Sequence, residues 1–320
     1  MAVKMKPGWS KPATILFASE IPANEKAFAF ALAQAVEFNA ELILFHAYDT
    51  LVVAASEQSG IRYYDYAAAA RAEKNQLEPL AQRVRDAGVR CEVVVRPGLP
   101  ADQILSFARE RDIDRIVMGT HSPGPVGKLL VGSAAEAVLR NAPLPVYIIG
   151  PDVVDGSYRN FATRSVLAAL NMHDTSPAIA AFAAEVAVQH NAGLILQYVI
   201  RPQDRAAVMS GRSIDQIETD ILSMIPVELA EKISAQAIVV PGDPTEELLY
   251  QARAQQTDLI VMGAQGASAF AAITRQGVVY KVLAHAQCPV ITLSPVVLAA
   301  CGSKLGSNKS TSETYMAGVF

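Results

Sequence analysis

Residues 114–150 read DRIVMGTHSPGPVGKLLVGSAAEAVLRNAPLPVYIIG, and the fold turns on them. An apolar strand, Arg115 to Met118, enters a glycine-punctuated loop. A helix opens at Gly132-Ser133, and a second apolar strand, Val146 to Ile149, follows Pro145. Strand, loop, helix N-terminus and strand form a place where exposed backbone N–H groups can hold an anion. The chain then writes the stretch again. DLIVMG occupies 258–263, which is 144 residues (258 less 114) after DRIVMG at 114–119. The same offset carries Gly98 to Gly242, Pro100 to Pro244, Pro145 to Pro289, Val146 to Val290 and Pro151 to Pro295. Landmarks that keep one spacing without insertion identify an internal duplication.

Outward from this stretch, buried strands alternate with helices. Ala13 to Ser19 and Leu42 to Ala47 are apolar runs of strand length, and Asn24 to Phe38 between them places Phe28, Leu32 and Val36 on one helical face. Ala67 to Ala87 reads as an amphipathic helix closed by Gly88. Cys91 to Val95 is a third strand, and Pro100 opens a helix to about Arg111. The second copy restarts with the strand Ser165 to Leu170 and a helix capped at Ser176-Pro177, with Ile179, Phe182 and Val186 inward. It continues through Leu194 to Ile200, a helix to about Ile233, Ala237 to Val240, and an N-cap at Asp243 with Glu246 completing a capping box. Its last strands are Leu259 to Met262 and Val290 to Leu293. Such alternation predicts an α/β protein of two doubly wound, five-stranded parallel sheets. The expected domains are residues 13–151 and 164–295, with 152–163 as linker and 296–320 as a flexible, Ser/Gly/Lys-rich tail. The two halves should pack as an intrachain pseudo-dimer through their fifth strands, the natural pairing edges; further homodimerisation is left open.

Composition narrows the function classes. Hydrophobic residues make up 51% and charged residues 18% of the 320 positions, which suits two cores rather than a disordered chain. The net charge is −4 with no basic run, so nucleic acid is not an expected partner. No apolar run approaches the roughly 18 residues of a membrane span, and the expected compartment is the cytoplasm. Cys91, Cys288 and Cys301 are scattered without CxxC spacing, and Cys91 and Cys288, in or beside expected strands, read as reduced core thiols.

In a doubly wound sheet, ligands bind beyond the carboxyl ends of the strands where strand order reverses. The ends of strands one, two and four therefore converge: Ser19-Glu20, His46-Ala47 and Met118-Gly119 in one half, Leu170-Asn171, Tyr198-Val199 and Met262-Gly263 in the other. With these residues in view, both halves resemble the universal stress protein (Usp) family, whose fold is of the adenine nucleotide alpha-hydrolase-like type. Nucleotide-binding members carry G-x-x-G, nine residues, then G-[S/T]. Gly119, Thr120, His121 and Ser122 lead through nine residues to Gly132-Ser133 and Ala134, with Ser122 in the second glycine's place. In the second half Gly263 and Gly266 fit, but the closing pair reads Gln276-Gly277, so the hydroxyl is missing and the glycine is one place late. The family's aspartate at the end of strand one, which faces adenine and ribose, is Glu20 here and Asn171 in the second copy. Met118 with Ala47, and Met262 with Val199, would stand in the adenine wall.

The resemblance implies a stress-response binding or signalling module for an adenine nucleotide, ATP foremost, held mainly in the first half, with Mg²⁺ entering only with the nucleotide. A nucleotide-free interaction protein is the alternative, and a weak ATP hydrolase the third reading. Ser133 to Glu136 also reads as an ordinary S-x-x-E capping box. Lys128 and Arg275 are read as solvated loop charges, and the Tyr63, Tyr64 and Tyr66 cluster as crossover packing. Gly124 to Leu129 lacks the first glycine and the hydroxyl of a P-loop, no G-x-G-x-x-G follows a strand, and no nucleophile elbow is present. No acid, base or metal-ligand cluster with catalytic spacing is visible.

Overall fold

A computed structural model describes residues 9, 11–48, 66–120, 132–154, 163–264 and 277–302. The first half runs β1 (Thr14–Ala18), α1 (Glu25–Phe38), β2 (Glu41–Tyr48), α2 (Tyr66–Asp86), β3 (Cys91–Pro97), α3 (Pro100–Glu110), β4 (Arg115–Gly119), α4 (Ser133–Asn141) and β5 (Val146–Ile149). The second runs β6 (Ser165–Leu170), α5 (Ser176–His190), β7 (Gly193–Ile200), a 3₁₀ turn, α6 (Arg205–Val208), α7 (Ile214–Leu222), α8 (Val227–Ala230) and β8 (Ala235–Pro241). It closes with α9 (Pro244–Ala254), β9 (Leu259–Gly263), α10 (Val278–His285), β10 (Val290–Leu293) and α11 (Pro295–Gly302).

Each half has the strand order three-two-one-four-five, all parallel, as the duplication requires. The two five-stranded units are not separate sheets, however. β5 and β10 pair antiparallel and fuse them into one sheet of ten strands, β3-β2-β1-β4-β5-β10-β9-β6-β7-β8. The physical reason is the edge problem: a fifth strand buried on both faces has no other partner for its outer N–H and C=O groups. Val146 pairs with Thr292 and Ile148 with Val290, so equivalent residues exchange places about the Tyr147–Ile291 pair. That reciprocity is the mark of a pseudo-twofold contact.

The duplicated aspartates have a structural task. Asp114 Oδ2 accepts the N–H groups of Ala13 (2.8 Å) and Thr14 (3.1 Å), and Asp258 Oδ2 those of Arg164 (2.7 Å) and Ser165 (3.1 Å). Each carboxylate ties the entry of its half's first strand to the entry of the fourth. Asp114→Ala should cost about 1–3 kcal/mol, because two backbone donors lose a charged acceptor in a half-buried site. Asn, which keeps one acceptor oxygen, should cost less; equal urea midpoints for wild type and Asp114→Ala would refute this role.

Several local expectations need correcting. The inward face of α1 includes Phe28, with Leu32 partly buried against the core, but not Val36, which is 52% exposed; Ala27, Phe30, Ala31, Gln34 and Ala35 are buried beside Phe28. The stripe includes a glutamine because the sheet beneath offers it a partner, Arg115. Thr175, not Ser176-Pro177, is the N-cap of α5. That helix is apolar around most of its circumference because β6, α8 and α11 all pack on it. Asp243 does cap α9, accepting from the N–H groups of Thr245 (2.8 Å) and Glu246 (3.1 Å), which lowers its pKa. Among the described residues the reciprocal box forms at Ser213 and Gln216 instead. Residues 296–302 are not a loose tail, since α11 buries Val297, Leu298 and Cys301 against α4 and α5. Residues 303–320, like the linker residues 155–162 and Tyr63-Tyr64, lie outside the described part. The three cysteines are free thiols, and burial pushes Cys288 up to about 12.

Candidate functional site

The reversal of strand order in each half opens a cavity beyond the ends of its first, second and fourth strands. The first-half cavity is about 280 Å³ and the second about 320 Å³. Ser19, Glu20, Ala47, Met118, Gly119 and Ala134 come together around the first. Its floor is apolar because Ala47 and Met118 are 8% and 6% exposed. Ser19 is tied down by its N–H to Phe45 O (2.8 Å) and by its hydroxyl, which donates to Glu20 O (2.7 Å). Gly132 and Ser133 lie next to the cavity, at the N-cap and first residue of α4. His121, Ser122 and Gly266 fall outside the described residues, as do Lys128 and Arg275.

The start of α4 differs from the ordinary capping expected of Ser133 to Glu136. Gly132 is the N-cap, no side chain among the described residues caps the first turn, and Ser133 is exposed. Glu136 lies 3.6 Å from Arg140 instead, one helical turn on. The first-turn N–H groups therefore keep their partial positive charge beside the cavity. α10 repeats this in the second half, with Gly277 as N-cap and again no side-chain cap. Its first residues, Val278 and Val279, line the second cavity together with Asn171, Val199, Met262 and Gly263.

Some lining residues were not anticipated. Asn24, the N-cap of α1, accepts from Ala27 N–H (3.0 Å) and donates to Thr120 O (3.1 Å), joining the start of α1 to the end of β4. A Cβ on Gly119 would lie 2.6 Å from that Asn24 side chain, so the close approach needs glycine. Asn before an acidic first turn signals an N-cap, but its bond 96 residues away leaves no sequence trace. His46, expected here with Ala47, places Nδ1 2.9 Å from Ser19 O. In the second cavity the additions are His173, Gln197, Arg201 and Asp204, while Tyr198 stands there beside Val199 as expected. Gln197 occupies the register of Phe45 and donates to Glu247 O (3.1 Å). Burial raises the Tyr198 pKa.

The sequence model of the universal stress protein family matches residues 13–150 and again 162–294. The chain belongs to the universal stress protein family. It carries two Usp domains in tandem. A universal stress protein of Thermus aquaticus is 33% identical over 126 residues, 39% of this chain and 88% of that protein. One from Methanocaldococcus jannaschii is 28% identical over 76 residues, 24% of this chain and 47% of the relative's length. Among solved structures, a universal stress protein of Archaeoglobus fulgidus superimposes with a TM-score of 0.68 at 19% identity, covering 89% of this chain and 97% of its own. A further family structure, matching 42% of this chain at a TM-score of 0.35, is described as a complex with cAMP. No helix among the described residues is long and apolar enough to cross a membrane.

Proposed function

We propose that this tandem Usp protein is a stress-response binding module whose first half holds an adenine nucleotide, ATP foremost, with Mg²⁺ arriving on the nucleotide's phosphates. One observation carries the reading: the uncapped N-terminus of α4 stands beside a 280 Å³ cavity with an apolar floor. Phosphate oxygens suit the N–H groups and the helix dipole, and a flat heterocycle suits the surface of Ala47 and Met118. The second half shares this plan around α10 and contributes a related cavity.

Gly132→Asp tests the first site. The backbone at Gly132 (φ −59°, ψ 153°) accepts any residue, and aspartate is a favoured N-cap, so the fold should be kept or slightly stabilised. Its carboxylate would take the first-turn donors and repel phosphate. Nucleotide released from denatured, freshly purified protein should fall at least about tenfold, a loss of roughly 1.4 kcal/mol or more. Unchanged retention in a folded variant rejects the assignment.

A further inference from the structure

The ten-stranded sheet ends on β3 at one side and on β8 at the other. Arg90 O accepts from Leu42 N–H, and Gly98 N–H donates to Tyr48 O, so the even-numbered residues of β3 bond to β2. Alternation then turns the N–H and C=O groups of Cys91, Val93 and Val95 outward. The same parity holds in β8, where Leu194 N–H bonds Ser234 O and Gly242 N–H bonds Ile200 O. That edge is partly closed. Glu218 of α7 accepts the outward N–H of Val239 (3.3 Å), and Val239 is 5% exposed. Counting back 144 positions, Val239 becomes Val95 and Glu218 becomes Lys74 on α2. An ammonium has no acceptor atom. Val95 is half-buried, and among the described residues nothing accepts its N–H or those of Cys91 and Val93.

An open edge with outward donors can take another strand, and the charges on β3 select which. Its sequence CEVVVRP is self-complementary when it runs antiparallel to itself. A twofold axis at Val94 sets Glu92 opposite Arg96 of the other copy, on both sides of the axis, and Val93 opposite Val95. The even-numbered residues form the non-hydrogen-bonded pairs, whose side chains stand closest. Pro97, without an N–H, falls at the end of the ladder, where Cys91 N–H needs only its carbonyl. An axis at Val93 would instead set Arg90 against Arg96. Both charged side chains are held in place at the C-terminal end of α3, Glu92 by Arg111 (2.7 Å) and Arg96 by Glu110 (2.7 Å). Pairing about Val94 extends these contacts into a row of alternating sign: Arg111, Glu92, Arg96, Glu110.

We propose that the open edge of β3 is an interface with a second copy of this chain. The two β3 strands pair antiparallel about Val94 and join two ten-stranded sheets into one. The first-half cavities of the two copies then face opposite ways, so neither covers the other.

Sedimentation equilibrium of the full chain tests this, with circular dichroism as the check on folding. Wild type should dimerise reversibly. Val95→Pro costs β3 no bond to β2 and sits on an edge strand, where proline is tolerated, so it should weaken the dimer about tenfold or more. Glu92→Arg sets arginine against arginine and should do the same. Adding Arg96→Glu restores opposite charges across the axis, while both ion pairs to the end of α3 stay broken. That double variant should dimerise as wild type does, which no effect within one chain would produce. A wild type that stays monomeric up to about 1 mM overturns the proposal. So does a dimer that Val95→Pro leaves as tight, or a double variant no tighter than Glu92→Arg alone.

Discussion

Replacing Arg115 with leucine should cost the chain about 3 kcal/mol, and adding Gln34→Val should restore much of that loss. Arg115 is 1% exposed, the bulkiest fully buried side chain described, and burial drives its pKa down. It donates to Gln34 Oε1 and to Trp9 O (3.2 Å), and its guanidinium lies 4.6 Å from the Tyr147 ring centre and 5.1 Å from that of Phe38. Gln34 in turn donates to Glu37 (3.1 Å), and Glu37 meets His190 of the other half at 2.9 Å. The second half solves the same position differently. Leu259 stands 144 residues after Arg115, and counting back from the left-handed C-caps Asn39 and Asn191 sets Val186 opposite Gln34. A polar pair in one copy is thus an apolar pair in the other. Arg115→Leu alone strands the Gln34 amide oxygen in a dry site, while the NH₂ group keeps Glu37; the double variant reproduces the packing of the second half. A four-protein urea cycle should give a coupling of about 1–2 kcal/mol. Additive losses would show that Gln34 and Arg115 are not a unit.

The same pair shows what a sequence discloses and what it hides. DRIVMG and DLIVMG announced the duplication, the strand and its parallel neighbours, because burial on both faces needs a continuous apolar run. The one residue by which they differ points inward, and nothing local says so: its acceptor lies 81 positions upstream on another element. α1 was misread for the same reason, since Gln34 belongs to the buried face only once Arg115 is beneath it. The fifth strands were legible as pairing edges, but one continuous ten-stranded sheet follows only from the register of β5 against β10. At the cavities, topology alone brought Ser19, Glu20, Ala47, Met118 and Gly119 together. Asn24 and Gln197 were not legible, because side-chain bonds across 96 and 50 residues leave no period to count.

Gly150→Ala should destabilise the junction between the halves by about 2–3 kcal/mol, although glycine here meets no unusual backbone angle. A Cβ at Gly150 would lie 2.3 Å from Leu283 O, a backbone oxygen on α10 of the opposite half. A helix carbonyl cannot swing aside as a side chain can, so the end of β5 and α10 must move apart. Movement is resisted on both sides: β5 is locked to β10, and the chain beyond Gly150 is held by Val154 N–H to Gln287 O (3.0 Å) and by Lys26 Nζ on Pro151 O (3.0 Å) and Val153 O (2.8 Å). The equivalent residue in the second copy is Ser294, 144 positions on, and its side chain is accommodated. It is 1% exposed and donates to Ala142 O at 2.5 Å, at the C-terminal end of α4. The pseudo-twofold contact is therefore asymmetric at this point, close on one side and bridged by a hydroxyl on the other. Gly150→Ser should not rescue the alanine variant, because the clash begins at Cβ, before any hydroxyl can bond. Ser294→Ala should cost about 1–2 kcal/mol, because the hydroxyl it removes also accepts from Val297 N–H (3.2 Å) at the start of α11. Thermal unfolding of the three variants tests the ordering; a Gly150→Ala midpoint equal to wild type would mean that the two halves yield at their junction without penalty.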